Sequence, residues 1–178
     1  CDKDSYFIHH PLGIIRNKYG YTRKIFSWLK KNNNRFDVAI LHGLWQLYEI
    51  EIYRFLKNEN NKLIFLIKPH GMLDPWFQND PSRKFKALRN KLYWQLFEKK
   101  IINYSSGLLF GSNIEKNLAA TTFKGFNPIN NYVVGNFVTQ PPLKNIQLGE
   151  AFYSRVPYLK KEEKFALFLS RIDFKKGL

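Results

Sequence analysis

Residues 63–71, Leu-Ile-Phe-Leu-Ile-Lys-Pro-His-Gly, decide the fold of this chain. Residues 63–67 form a continuous apolar run that is typical of a short strand buried on both faces of a parallel sheet. Pro69 and Gly71 end the run, because proline lacks a backbone donor and glycine tolerates turn conformations. The stretch therefore predicts a buried strand with His70 just beyond its carboxyl end.

Other short apolar runs accompany this one, and helical patterns separate them. The runs cover residues 38–41, 108–110, 132–134 and 165–169. Helical spacing of apolar residues occurs in residues 21–31, 44–57 and 83–100. A fourth helix is predicted to begin at Ser112, which forms an S-x-x-E capping box with Glu115. The alternation predicts an α/β, Rossmann-like fold with a doubly wound, mostly parallel sheet that is covered on both faces.

The same pattern suggests how the chain is divided. We expect residues 1–138 to form one domain, residues 139–164 to form an irregular connection, and residues 165–178 to begin a second domain with one strand. The chain opens at Cys1, and its only methionine is Met72. We therefore expect a trimmed sequence or a fragment, in which the first domain lacks its opening strand and the second is cut off.

Composition limits the classes of protein to which the chain can belong. With 178 residues, of which 44% are hydrophobic and 17% aromatic, it can bury one core and the start of another. A single cysteine cannot form an internal disulfide, and no apolar run is long enough to span a bilayer. We therefore expect a cytoplasmic protein without membrane spans.

The formal net charge of +15 has two interpretations of equal weight. Most lysines can simply form solvated faces, or the charge can attract anionic partners such as nucleotide diphosphates, nucleic acid or acidic lipid. Basic residues crowd the helical patterns of residues 21–31 and 83–100, in the second case at the helix N-terminus, where the helix dipole disfavours cations. An anionic membrane surface, on the inner face of the cell membrane, is therefore an expected contact of these helices.

Ligands of open α/β sheets bind beyond the carboxyl ends of the strands. This rule selects His42, His70, Gly71 and Asn136, together with residues 111–113. For His42 alone a tight turn is the favoured interpretation. His70 lies in a loop that combines proline, glycine and large aromatic residues, which is the composition of a binding loop.

Several nearby residues have structural explanations. Helix capping accounts for Asp74, Ser112 and Glu115. Trp45 and Trp94 are expected in the core or a groove wall, and Trp76 either there or beside a bound sugar. The sequence contains no metal-ligand constellation, P-loop, G-x-G-x-x-G or G-x-S-x-G motif. Acyl transfer, kinase chemistry and a metal site therefore lack support.

The order of these motifs resembles the bacterial group 1, or family 4, glycosyltransferases over nearly the whole chain. The matching segments are DVAILHGLWQ at 37–46, KPHGMLDPW at 68–76, Tyr93-Trp94 with Glu98, GSNIE at 111–115, VVGN at 133–136 and LFLSRIDFKKG at 167–177. The first two are fairly specific in combination, whereas the last is common across the family.

The resemblance implies a GT-B architecture, in which two Rossmann-like domains face each other across a cleft. It implies a retaining enzyme that moves a sugar from a nucleotide-sugar to a glycan or lipid-linked acceptor in surface polysaccharide or lipopolysaccharide synthesis, without a metal or other cofactor. His70 would lie near the transferred sugar as the catalytic-site residue, and Arg171 and Lys176 would contact the donor diphosphate. Gly71, His42 and Asn136 would help to bind donor or substrate.

Departures from the family pattern leave alternatives open. The family's opening strand with its glycine-rich loop has no counterpart in this sequence, and Gly135-Asn136-Phe137 stands where many relatives have proline, asparagine or tyrosine followed by glycine. The paired glutamates of the second domain also have no counterpart, so this piece alone is expected to be inactive. One alternative is a basic nucleic-acid-binding module, although the aromatic residues fall in core-like segments and nucleic acid is not an expected partner. Another is a non-catalytic GT-B remnant.

Overall fold

The computed structural model describes residues 24–58, 63–136, 140, 146–170 and 172. The chain divides into two compact units, residues 1–136 and residues 137–178. The strands of the described chain all lie in the first unit, and the described part of the second contains one helix.

A parallel sheet forms the centre of the first unit. Its strands are β1 (Val38–His42), β2 (Ile64–Lys68), β3 (Gly107–Phe110) and β4 (Asn131–Val133). They lie side by side in chain order, and every neighbouring pair is parallel. Ile40 pairs with Leu66, and Ile67 pairs with Leu108. The predicted α/β class and the parallel sheet are therefore confirmed.

Helices precede β1 and connect the strands. They are α1 (Lys24–Asn32), α2 (Tyr48–Asn58), α3 (Trp76–Asn79), α4 (Lys84–Tyr93), α5 (Lys99–Tyr104) and α6 (Asn113–Thr122). A π-helical turn, Trp94–Glu98, joins α4 to α5, and short 3-10 turns cover Asn33–Arg35 and Pro81–Arg83. The first predicted helix, 21–31, is seen from its fourth residue onward, since residues 21–23 lie outside the described part of the chain.

The second predicted helix begins later than its apolar pattern indicates. We expected it to start at Leu44, but α2 begins at Tyr48. Gly43 has φ 86° and Trp45 has φ 70°, both in the left-handed region that cannot continue a right-handed helix. Residues 43–47 therefore form a loop at the carboxyl end of β1.

The core lies between one face of the sheet and the helices. Ile67, Leu108 and Phe110 are fully buried on that face, and Phe55 and Trp94 are buried opposite them. Trp94 stacks on Phe123 with ring centroids 4.6 Å apart. The expectation that Trp94 serves the core is confirmed.

The opposite face of the sheet is only partly covered in the described chain. Val38, Ile40 and Ile64, which alternate with the buried residues, are 45%, 49% and 48% exposed. The prediction of a sheet covered on both faces is wrong for these residues. When parallel strands follow one another across a sheet in chain order, their right-handed crossover connections all lie on the same face. A doubly wound sheet needs a point where the strand order reverses, and the described strands contain no such reversal.

The apolar stripe of α4 does not face the core. Phe85, Leu88 and Leu92 are 92%, 58% and 57% exposed, whereas Asn90 and Trp94 on the opposite side are buried. The helical period of the sequence was correct, but the face that packs inward is the other one.

The second unit corrects two predictions. The segment 139–164, expected to be irregular, contains helix α7 (Ile146–Arg155). Residues 165–169, expected to form a strand, are irregular and exposed, because no described strand lies beside them to complete a hydrogen-bonded ladder. Phe165 instead stacks on Phe152, with ring centroids 5.6 Å apart. In the part of the chain that the structure describes, no helix is long and apolar enough to cross a bilayer.

Candidate functional site

The carboxyl ends of the strands bring polar residues together at one edge of the sheet. His42 is the last residue of β1, and its register partner Lys68 is the last residue of β2. The backbone N–H of Gly43 donates to the carbonyl of Lys68 across 2.9 Å, which fixes the first loop against the second. This parallel pairing carries His42 to the side of His70, although 28 residues separate them in the chain.

The two histidine side chains form a hydrogen-bonded pair. Nδ1 of His42 lies 2.9 Å from Nε2 of His70, and the two rings are stacked with centroids 5.2 Å apart. Such a bond needs one N–H and one lone pair, so at least one ring is neutral. Burial lowers the pKa of His42, and the nearby His70 and Lys68 lower it further. His42 is therefore the ring that is held toward its neutral form, and the tautomers set which of the two nitrogens donates.

A strained turn holds His70 in place. His70 has φ 52° and Gly71 has φ 73°, so two consecutive residues adopt left-handed conformations. This conformation is costly for a residue with a side chain and marks sites where the surrounding structure dictates the backbone. The N–H of Met72 donates to the carbonyl of Pro69, and that of Asp74 to the carbonyl of Gly71, which closes the turn.

The carboxylate of Glu115 joins two of the loops. Its Oε1 accepts from the N–H of Gly71 at 2.7 Å, and its Oε2 accepts from the N–H of Gly111 at 2.8 Å. Ser112 caps α6 as predicted, since its Oγ accepts from the N–H of Glu115 at 3.1 Å. The return bond of the predicted capping box, from the Glu115 side chain to the start of α6, is replaced by its bond to the loop after β2. Capping alone therefore does not explain Glu115.

A pocket of about 390 Å³ opens between these loops. Its walls combine one cation, two carboxylates, an imidazole and a side-chain amide with two apolar residues. The lining residues are Lys68, His70, Gly71, Asp74, Ser112, Ile114, Glu115, Leu118 and Asn136. A pocket with this mixture of donors and acceptors suits a polyhydroxylated ligand more than an apolar one.

Most of the predicted site residues meet at this edge. His70, Gly71 and Asn136 line the pocket, and His42 supports it through its bond to His70. A Cβ placed on Gly111 would come within 2.8 Å of Nδ2 of Asn136, so the fourth strand end packs directly on the third. Arg171 and Lys176 lie outside the described residues.

Sequence reasoning missed Lys68 and Glu115 as parts of the site. The strand predicted from the sequence ended at Ile67, and Lys68 was given no role in the site, although a position directly after the last apolar residue lies at the carboxyl edge. No sequence signal indicated that Glu115 would bind Gly71, because the contact spans 44 residues. Asp74 has the predicted capping role, since its Oδ1 accepts from the N–H of Trp76 at 2.9 Å.

The tryptophans near the site differ in their surroundings. Trp45 packs edge-on against Tyr93 and Phe123, as expected for a core residue. Trp76 contacts Phe77 and Arg83 and is not among the residues that line the pocket.

A buried carboxyl pair lies behind the loop that follows His42. Glu49 and Glu98 are both fully buried, and Oε1 of Glu49 accepts from the N–H of Gln46 at 3.1 Å. Burial is the main cause that raises the pKa of each carboxyl, and the adjacent Glu98 raises that of Glu49 further. The bond to Glu49 and the backbone N–H of Trp45 offset part of the rise in the pKa of Glu98. The second oxygen of Glu49 lacks a donor of its own, so a proton held by Glu49 lets the two carboxyls share a hydrogen bond.

The described residues contain no group of three or more His, Cys, Asp or Glu side chains that is arranged to hold a metal ion. Comparisons of the chain with known proteins give no family: no protein-family model matches it, and neither curated proteins nor solved structures include a significant match.

Proposed function

We propose that this chain is the acceptor-side part of a retaining glycosyltransferase with GT-B architecture. In this proposal its parallel sheet belongs to a Rossmann-like, doubly wound domain, and residues 165–178 begin the nucleotide-sugar-binding domain. The reaction moves a sugar from a nucleotide-sugar to a glycan or lipid-linked acceptor of a surface polysaccharide or lipopolysaccharide. The observation that carries the proposal is the polar pocket at the carboxyl edge, where His70 and Gly71 meet Asn136.

The pocket can bind hydroxyl groups through donors and acceptors held at fixed positions. With Nε2 of His70 bonded to Nδ1 of His42, the other ring nitrogen of His70 is available to a sugar hydroxyl. The strained turn and the Glu115 bonds hold the backbone that carries this ring. Preorganised polar groups of this kind stabilise a transition state because they need no reorganisation during the reaction.

The donor half of the proposal concerns charge on the leaving group. A departing nucleoside diphosphate gains negative charge, and positioned cations stabilise it without a metal ion. Arg171 and Lys176, which lie outside the described residues, are proposed to supply these cations by resemblance to the family. Lys68, in the wall of the pocket, is a further cation at the carboxyl edge of the sheet.

The test measures sugar transfer by the whole polypeptide that contains these residues. It combines a panel of nucleotide-sugars with glycan and lipid-linked acceptors and follows both nucleotide release and the glycosylated product. We expect turnover with at least one pair and a loss of roughly a hundredfold or more in kcat for His70→Asn, which preserves the left-handed backbone. Asn117→Ala, on the exposed side of α6, is the matched control.

Two outcomes would count against the proposal. One is the absence of product with every donor and acceptor pair although the protein is folded. The other is turnover in His70→Asn equal to that of the Asn117→Ala control, which would remove His70 from the reaction.

A further inference from the structure

An exposed apolar stripe runs along α4 and the π-helical turn that follows it. Its four residues are Phe85, Leu88, Leu92 and Leu96, which are 92%, 58%, 57% and 59% exposed. Together with the rings of Tyr93 and Phe97 they form one continuous shallow groove. Four large apolar side chains in a row are more than the scattered exposure that soluble proteins normally show.

This stripe does not lie on the side of the helix that packs against the core. Residues on the opposite side of the same helical segment, Asn90, Trp94 and Glu98, are buried at 3%, 0% and 0% exposure. At 100° per residue, the mean directions of the two sets are nearly opposite. The buried side of the segment therefore carries Trp94 beside the polar Asn90 and Glu98, whereas the exposed side carries the apolar stripe.

The charges around the stripe are all of one sign. Residues 83–100 contain seven basic residues and one acidic residue, Glu98, which is buried. On the helical projection, Lys84 and Lys91 lie on one side of the stripe, and Lys86 and Arg89 lie on the other. All four are exposed. The result is an apolar strip bordered by cations along both edges.

These features distinguish between the occupants that an apolar surface can have. A second copy of the chain would bring its own row of cations against this row, and the repulsion between like charges opposes such a contact. A nucleic acid would place phosphates on the cations but leave Phe85 and the leucines against a charged backbone. A bilayer with acidic headgroups accepts both, because leucine and phenylalanine enter the acyl boundary while lysine and arginine meet the phosphates.

We propose that α4 and the following turn bind the surface of a membrane that contains acidic lipids, with the stripe lying in the interface. The inference goes beyond sugar transfer and does not depend on it. Tyr93, at the border of the stripe, donates from its hydroxyl to the carbonyl of Gln46 at 2.8 Å. The membrane-facing helix is therefore joined directly to the loop that follows His42.

The experiment measures flotation of the full chain with vesicles of phosphatidylcholine alone and of phosphatidylcholine with about a third phosphatidylglycerol. We expect binding to the mixed vesicles that weakens at about 0.5 M NaCl. The double variant Leu88→Gln/Leu92→Gln should lower the partition coefficient roughly tenfold or more, because it removes apolar area from the interface. Both residues are more than half exposed, so circular dichroism should show an unchanged fold.

Two matched controls separate the stripe from general properties of the chain. Leu148→Gln changes an equally exposed leucine, 55% exposed, on α7 in the second unit. Lys160→Gln/Lys161→Gln removes the same charge as Lys84→Gln/Lys91→Gln, at exposed positions of the second unit. We expect the α4 variants to weaken binding and the controls to retain it.

Three results would overturn the proposal. In the first, the unaltered chain does not float with acidic vesicles. In the second, Leu88→Gln/Leu92→Gln binds as strongly as Leu148→Gln, which would leave net charge as the only cause. In the third, the leucine substitutions dissolve an oligomer seen by light scattering without changing vesicle binding, which would identify the stripe as a contact between copies.

Discussion

His42 and His70 share a hydrogen bond of 2.9 Å, although His42 ends β1 and His70 lies in the turn after β2. Parallel pairing of β1 with β2 brings the two strand ends level, and the left-handed turn at His70 directs its ring back toward His42. Each histidine by itself is compatible with a simple turn. Their contact is what distinguishes this edge of the sheet as a candidate site.

The first prediction concerns protonation within this pair. Replacing His70 with Asn removes a group that lowers the pKa of His42 while keeping a residue that tolerates the left-handed region. The pKa of His42 should therefore rise toward its ordinary value, but burial, the larger cause, should keep it below that value. Imidazole nitrogen shifts followed by NMR during a pH titration measure this change.

Lys68→Gln provides the matched comparison, because Lys68 lowers the same pKa less than His70 does. It should raise the pKa of His42 by a smaller amount. An unchanged titration of His42 in the His70→Asn protein would show that the two rings are not coupled in solution.

The second prediction contrasts two glycines of the site. Gly71→Ala meets no atom within 4 Å, but φ is 73°, so the strain should lower the free energy of unfolding by about 1–2 kcal/mol. Gly111→Ala has no such backbone strain, and its Cβ would come within 2.8 Å of the Asn136 amide, which can move aside. Its cost should therefore stay below about 1 kcal/mol while the Asn136 side chain leaves its position.

Urea unfolding gives the two free energies, and the side-chain amide signal of Asn136 reports its displacement. The double variant Gly111→Ala/Asn136→Ala should recover most of the small loss caused by Gly111→Ala. Equal destabilisation by Gly71→Ala and Gly111→Ala would contradict the assignment of one effect to the backbone and the other to a side chain.

The sequence was sufficient for β1 to β4, whose apolar runs are short and continuous, and β1 and β2 each extend one residue beyond the run. The similar run at 165–169 is not a strand, because no described strand lies beside it. The start of α2 was not predictable from the apolar spacing, since the pattern continues through residues 44–47 while positive φ angles interrupt the helix there. The burial of α4 was also hidden, because its large apolar residues are exposed and its buried residue is the polar Asn90. Periodicity identifies a helix but does not show that its apolar face is the one that packs inward.

The site was predictable only as far as it follows from the sheet. His42, His70 and Asn136 follow strand ends, so the rule for parallel sheets places them at one edge. Glu115 was assigned to helix capping because its spacing from Ser112 fits a capping box. In the structure its carboxylate instead accepts from backbone amides on two different loops. Contacts across 44 residues depend on the folded arrangement and leave no local pattern.

The third prediction tests this bridge. Glu115→Ala leaves the N–H groups of Gly71 and Gly111 without their acceptor and should lower the free energy of unfolding by about 2–3 kcal/mol. Glu115→Gln keeps one carbonyl oxygen but turns an NH₂ toward the other donor, so it should lose about half as much. Urea unfolding measures both values.

Hydrogen exchange of the same two amides distinguishes a local effect from a general one. The Gly71 and Gly111 amides should exchange faster in both Glu115 variants than in Asn117→Ala, which alters an exposed residue of the same helix. If their exchange rates match those of Asn117→Ala, the carboxylate does not hold the loops together.

The fourth prediction uses the buried pair Glu49 and Glu98 to set a dependence of stability on pH. Burial raises the pKa of both carboxyls above the ordinary value of 4.5, so the folded chain retains protons that the unfolded chain has released. The unfolded state then binds fewer protons, and the free energy of unfolding falls as pH rises above about 4.5. The contribution of the pair is most favourable below that pH and is progressively lost toward neutral and alkaline pH.

Glu49→Gln is the variant that isolates this effect. A glutamine has the shape of a protonated glutamate, its carbonyl can still accept from Gln46, and its NH₂ can donate to Glu98. The variant should therefore be more stable than the unaltered chain at pH 7 to 8 and should show a weaker decline with pH. Glu150→Gln, at an exposed carboxyl of α7, should leave the slope unchanged. Parallel pH curves for Glu49→Gln and the unaltered chain, measured by urea unfolding, would mean that Glu49 is ionised in the folded state.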